Sequence, residues 1–242
     1  MKKVKLNKKN LLKILRIIFV ILVIISSIKI VLWNKNNKAT DKIVKNINKS
    51  VKVEKYDKGE LLNIDFKKLK QENQNVVGYL KVNNTNISYP VVKYTDNDYY
   101  LYHSFDNSRN NAGWIFMNYQ NKLDGTDQNI SIFGHARLDG SMFGSLKKVL
   151  DKKWQESKEN RIITFVTEKE YSRYEVFSTY KIKEEDYYIQ PNYTDYNQFL
   201  KNIQKRSNYD YKIDISKVRQ VLTLSTCDTN ENYRIVLHAV KI

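Results

Sequence analysis

The stretch VLTLSTCDTNENYRIVLHAV, residues 221–240, holds the single cysteine of the chain, Cys227, and an arginine seven positions later, Arg234. A cationic neighbour favours the thiolate, which is the nucleophilic form of a thiol. Arginine also donates through a planar fork, which can hold a carbonyl or a developing oxyanion. Together they have the parts for attack on an acyl carbon, provided that the fold sets them side by side. The polar run DTNENY, residues 228–233, reads as a turn between two antiparallel strands, and the simplest register then pairs Cys227 with Arg234. Alternation puts Val221, Thr223, Ser225 and Cys227 on one face, with Leu222 and Leu224 on the other. On the second strand Arg234, Val236 and His238 share a face opposite Ile235 and Leu237. Matching the more apolar faces sends Leu222, Leu224, Ile235 and Leu237 to a core and leaves Cys227 and Arg234 projecting from the other side.

Such a pair still needs a proton shuttle, and the chain has three histidines. His238 shares the Arg234 face but stands four residues along, roughly 13 Å at strand rise, too far to serve Cys227. His103 sits in YYLYHSF, whose aromatic company points to a structural role. His135 ends an apolar run in SIFGHARLDG, where Gly134 and the turn residues beyond suggest an exposed edge. Composition leaves both an acid–base role and an ordinary turn position open for His135. Two other cysteine chemistries do not fit. A phosphatase loop needs five residues between Cys and Arg around an anion-binding turn; here six intervene, none is glycine, and a strand follows. Papain-like enzymes place the cysteine early and the histidine downstream, the reverse of this order. No ligand spacing for a structural metal is visible.

The elements that must position these residues are mostly short β runs. VVGYLKV (76–82), ISYPVVK (87–93), GWIFMN (113–118), NISIFGH (129–135), RIITFVT (161–167), YEVFSTYKIK (174–183), RQVLTLSTC (219–227) and YRIVLHAVK (233–241) are mostly bounded by Asn, Asp or Gly turn signals. Eight strands with few helices between them predict a mainly β fold, a closed or nearly closed barrel. Helical interruptions are expected near 141–150 and 194–206. In the second, Tyr196, Phe199, Leu200 and Ile203 recur at helical spacing within a long connection before the seventh strand.

The first third has a different texture. Residues 1–33 carry eight lysines and arginines and no acid, so half of the net charge of +16 lies there. The remainder interleaves lysine with Asp and Glu, as on a solvated surface, and no nucleic-acid motif accompanies it. An anionic membrane surface suits the basic cluster better than a nucleic acid. Residues 17–33, IIFVILVIISSIKIVLW, form an apolar run long enough to span a bilayer at the lower limit, with Lys29 and Trp33 near its outer end. Seven basic residues precede it, which predicts a cytoplasmic tail over 1–16 and an uncleaved anchor over 17–33. Residues 34–58 read as a stalk with a helix that starts at Thr40 and Asp41, and a second helix is expected over 59–72. The compact domain then covers 59–242.

TLSTC (223–227), Arg234 on the next strand and the earlier FGHAR (133–137) resemble the sortases, the cysteine transpeptidases of Gram-positive bacteria. The resemblance runs from about residue 60 to the end and is strongest with class B, through VVGYLKVNNTNISYPVV, DNDYYLYHSF (96–105), the leading helices and the insertion before TLSTC. It implies a sortase-like eight-stranded barrel with N-terminal helices. It further implies that Cys227 attacks the carbonyl of a Thr–Gly or Thr–Asn bond to form a thioester, that His135 moves the protons, and that Arg234 holds the carbonyl and oxyanion. The implied substrates are surface proteins with a C-terminal NPxTx-type sorting signal, joined to an amine of a lipid II type cell-wall precursor. The groove implied by the family falls on Asn97, Leu101, Tyr188, Ile189 and Ser225, the last of which alternation also places on the Cys227 face. No cofactor or metal is implied, and the catalytic domain would face the cell wall. A class C pilin polymerase and a catalytically silent surface module are the alternatives. The first lacks its N-terminal lid with an aspartate–aromatic motif, and the second does not account for the Cys227, His135 and Arg234 trio.

Overall fold

Two-residue alternation turns into strands wherever one face can be buried, and ten such segments occur among the described residues. The computed structural model describes residues 8–56, 59–227 and 232–242, with the backbone alone for 55, 56, 59, 60 and 227. The expected turn at 228–233 therefore lies mostly outside the described residues. The described residues up to 42 and residues 43–242 form two compact units.

Helix α1 runs unbroken over Lys8–Ile47. The helix start expected at Thr40 is absent because the Thr40 hydroxyl donates back to the Asn36 carbonyl, 3.0 Å, instead of capping a new turn. Its apolar stretch from Leu11 to Trp33 is exposed along its length. By length and composition this helix could cross a membrane. At its far end Ile43, Val44 and Ile47 pack on the core of the second unit. Strands β1 (Val51–Tyr56) and β2 (Gly59–Ile64) then form an antiparallel hairpin. This corrects the helix expected over 59–72, of which only α2, Phe66–Glu72, is helical. Asp65 sets that start, its carboxylate accepting from the Lys68 N–H at 2.9 Å. The adjacent Leu61 and Leu62 suit either period, and only burial of Leu62 with Leu61 left exposed shows that period two won.

The remaining strands are β3 (Val76–Val82), β4 (Ser88–Val92), β5 (Phe116–Met117), β6 (Asn129–Gly134), β7 (Ile162–Val166), β8 (Tyr171–Lys183), β9 (Val221–Cys227) and β10 (Tyr233–Lys241). They close an eight-stranded barrel in the order β10-β8-β7-β3-β4-β5-β6-β9, as the eight β runs predict. The short helix α3 (Lys152–Glu156) follows a 3₁₀ turn over Gly144–Leu150, where the first interruption was expected. Leu222, Leu224, Ile235 and Leu237 lie in the barrel core, as alternation requires.

The opposite face of β9 and β10 is not open. Helix α4, Tyr196–Arg206, lays Phe199, Leu200 and Ile203 over it, together with Tyr188, Val221 and Val236 in a second apolar cluster. Asp195 caps the helix by accepting from the Gln198 N–H at 2.8 Å. This layer leaves only the ends of β9 and β10 for chemistry. Truncating Phe199, which has no exposed surface, should cost about 3–5 kcal/mol of unfolding free energy. Urea unfolding of Phe199→Ala checks this, against Lys201→Ala on the exposed side as a control expected within about 0.5 kcal/mol. Equal stability of the two variants would mean that α4 is not part of the core.

Candidate active site

Strand β6 lies parallel to β9, with Ser131 opposite Thr223, Phe133 opposite Ser225 and Gly134 opposite Thr226. One residue past the end of that ladder come His135 on one strand and Cys227 on the other. Across the far side of β9, Arg234 of β10 pairs with Cys227, the register that alternation predicts. Positions 135 and 234 therefore flank position 227 from two neighbouring strands, each about 5 Å away at ordinary strand spacing. The three residues come together at one end of three adjacent strands.

His135 is held from several directions. Its Nε2 lies 2.8 Å from the Leu101 carbonyl oxygen. A carbonyl only accepts, so this contact assigns the ring proton to Nε2 and leaves Nδ1 to take and release protons. The His135 carbonyl accepts from the N–H groups of Arg137 and Phe143, both at 3.0 Å, which closes the loop behind it. Gly113, with φ +60, lies close to the same edge of the ring. A Cβ there would stand 2.8 Å from the Leu101 oxygen and 2.9 Å from His135 Cδ2. Only glycine combines that backbone conformation with that clearance. Gly134 has a similar reason, since a Cβ would meet Ile115 Cδ1 at 2.5 Å inside the barrel.

Arg234 Nη2 lies 2.5 Å from Glu184 Oε1, and its Nη1 donates to the Tyr233 carbonyl at 3.1 Å. The glutamate side chain is mostly exposed, so this pair is weak enough for a substrate carbonyl to compete with. His135 and Arg234 open on one cavity of about 250 Å³. Asn97, Leu101, Tyr188, Ile189 and Ser225 line the same cavity, so the groove positions implied by the resemblance converge on it. Two of them form its floor rather than its surface: Tyr188 and Ser225 are buried and share a hydroxyl contact of 3.0 Å. Burial pushes the Tyr188 phenol up to about 12, against the Ser225 bond and the Arg234 charge, so it stays neutral. Sequence reasoning missed Phe116 and Phe133, whose rings meet at 5.4 Å on another wall. Phe133 was within reach, because it stands two residues before His135 on the same strand face.

The family model for the sortase domain matches residues 80–242. The chain belongs to the sortase family. It is 37% identical to sortase B of Listeria monocytogenes over 70% of this chain and 69% of the relative. The sortase B structure from Bacillus anthracis in complex with AAEK1 superposes with a TM-score of 0.71, at 34% identity, covering 88% of this chain and 99% of that one. The Staphylococcus aureus sortase B–substrate complex gives 0.67 at 30% identity, covering 73% and 84%. These relatives place this sortase in class B, as a cysteine transpeptidase with the family's barrel.

The other two histidines of this sortase serve structure. His103 stacks on Tyr99 with ring centroids 4.0 Å apart and donates to its carbonyl at 2.7 Å. His238 is fully buried. Its Nδ1 lies 2.8 Å from the Thr223 hydroxyl, which donates on to Asn129 Oδ1 at 2.6 Å. Thr223 has spent its proton there, so His238 Nδ1 donates to it and Nε2 accepts from the Tyr180 hydroxyl at 2.8 Å. Burial, reinforced by the Arg206 charge, lowers this imidazole to about 3. An unfolded chain protonates histidine near 6.5, so this contribution to stability is complete above about pH 6.5 and is lost as pH falls toward 3. The thermal midpoint should therefore drop between about pH 6.5 and 4.5, and His238→Gln should flatten that drop. An unchanged slope in the variant would show that His238 is not the group responsible.

Proposed function

We propose that this sortase is a membrane-anchored class B enzyme that cleaves an NPxTx-type sorting signal after its threonine and transfers the surface protein to a cell-wall precursor amine. The observation that carries the reading is the β6–β9–β10 register, in which position 227 lies between the neighbouring strands that lead to positions 135 and 234. His135 Nδ1 takes the Cys227 thiol proton, the sulfur attacks the threonine carbonyl carbon, and the Arg234 guanidinium donates to the oxygen as it gains charge. His135 Nδ1 gives a proton to the leaving amine as the C–N bond breaks, which leaves a thioester on Cys227. The incoming amine then attacks the thioester carbonyl and passes its proton back to His135, and the thiolate departs. Each step uses the nitrogen of His135 that the Leu101 carbonyl leaves available.

Three further features support the reading. The cavity brings Asn97, Leu101, Tyr188, Ile189 and Ser225 around the space that an extended peptide would enter. A relative at 30% identity was solved as a sortase B–substrate complex. The apolar half of α1, preceded by a basic tail, fits a single-pass anchor with its N-terminus in the cytoplasm. That topology puts the barrel on the outer side, where surface proteins and lipid II type precursors are available.

The test uses the full-length chain in detergent with a panel of fluorogenic NPxTx and LPxTx peptides, with and without an amino nucleophile. The expected result is NPxTx cleavage, an amine-dependent transfer product, and no turnover by Cys227→Ala. His135→Ala should lose about 10²–10⁴-fold, the usual worth of positioned acid–base transfer. Arg234→Ala should lose about 10²–10³-fold, as for an oxyanion donor. Cleavage that persists in Cys227→Ala would defeat the mechanism.

A further inference from the structure

The cavity has two walls from segments far apart in the chain, and one buried side chain joins them. Asn118 follows β5 and has no exposed surface. Its Nδ2 donates to the Ile189 carbonyl at 2.9 Å, on one wall. Its Oδ1 lies 3.3 Å from the Asn97 amide nitrogen, on the other wall, and accepts from the Gln120 N–H at 3.1 Å. The amide orientation is fixed by its partners, since the Ile189 carbonyl only accepts and the Gln120 N–H only donates. Asn97 is secured a second time, its Oδ1 accepting from the Tyr119 N–H at 3.0 Å.

The Ile189 wall is itself pinned to the barrel. Asn129, also without exposed surface, donates to the Tyr188 and Gln190 carbonyls at 2.9 and 3.1 Å. The Pro191 carbonyl accepts from the N–H groups of Gln128 and Asn129, both at 2.9 Å. Four consecutive carbonyls, 188 to 191, thus accept from the start of β6 and the end of β5. A wall tied at every residue is a fixed surface, and Asn118 is the contact that also reaches Asn97.

We propose that Asn118 is a positioning residue that sets the separation of Asn97 and Ile189, and so determines how tightly the groove binds its peptide. The inference rests on the reading of Asn97 and Ile189 as groove residues. A residue that merely closed the seam between β5 and β6 would affect folding alone. A residue that sets the groove changes peptide affinity while leaving the nucleophile intact. Loss of one well-placed hydrogen bond corresponds to about a tenfold change in an equilibrium constant.

The test compares wild type, Asn118→Ala and Asn97→Ala as full-length protein in detergent. Peptide turnover gives KM and kcat, and alkylation of Cys227 by iodoacetamide reports the nucleophile. Asn118→Ala should raise KM for the NPxTx peptide about tenfold, with kcat lowered less than about threefold and alkylation unchanged. Asn97→Ala should raise KM similarly, and the double variant should be no worse than the worse single one, because both act through one contact. An unmoved KM in Asn118→Ala, or additive effects in the double variant, would overturn the proposal. If Asn118→Ala does not fold, the half-exposed Asn97 decides, and an unmoved KM in Asn97→Ala overturns it equally. No cleavage by the wild type defeats the functional reading and this inference together, whereas cleavage with unmoved KM defeats this inference alone.

Discussion

The parallel pairing of β6 with β9 is the constraint on which the site depends. It joins two strands about ninety residues apart, and both run out at the same end of the barrel. A slip of one residue would turn Ser131, Phe133 and the position of His135 to the core and bring Ile130 and Ile132 outward. Closure of the barrel forbids that slip, since every strand is paired on both sides and the aliphatic face of each must meet the same interior. The register that buries Leu222 and Leu224 is therefore the register that sets His135 and Arg234 beside position 227.

A second layer makes the outer face of those strands usable. Helix α4 and the turn before it cover β8, β9 and β10, so the hydroxyls and amides of that face are buried and must find partners. They find them in a directed chain from Tyr180 through His238, Thr223 and Asn129 to the Tyr188 carbonyl. Each group in the chain has its donor or acceptor role settled by the next. Neutral His238 is the form that fits, since protonation would put a second N–H toward Tyr180 in place of the lone pair. The cost of burying polar groups is thus turned into fixed geometry for the segment that carries Tyr188 and Ile189.

His135 shows the same economy on the other wall. One carbonyl, that of Leu101, assigns its tautomer, and the absence of a side chain at Gly113 lets the Leu101 segment approach. Together they leave Nδ1 as the nitrogen open to proton exchange. His135 and Leu101, both on the cavity, are coupled through a single hydrogen bond.

Local pattern was enough for much of this protein. Alternation in VLTLSTC and YRIVLHAV predicts the hairpin, its core face and the Cys227–Arg234 pairing, because a two-stranded unit close in sequence has one register that matches its apolar faces. The eight β runs and α4 follow from period and caps alone. Adjacent leucines at 61 and 62 satisfy two periods at once, so only tertiary burial decides for strand β2 over the expected helix. His135 could be named from residues only as an open choice, since its nearness to Cys227 comes from a parallel contact that no local spacing encodes. Asn118 left no signal, because an asparagine after a short strand looks like any turn residue. What the sequence determined by itself was which residues can react and which faces are apolar. Which of them meet was decided by barrel closure, because non-local strand pairing is settled only when all the apolar faces are buried together.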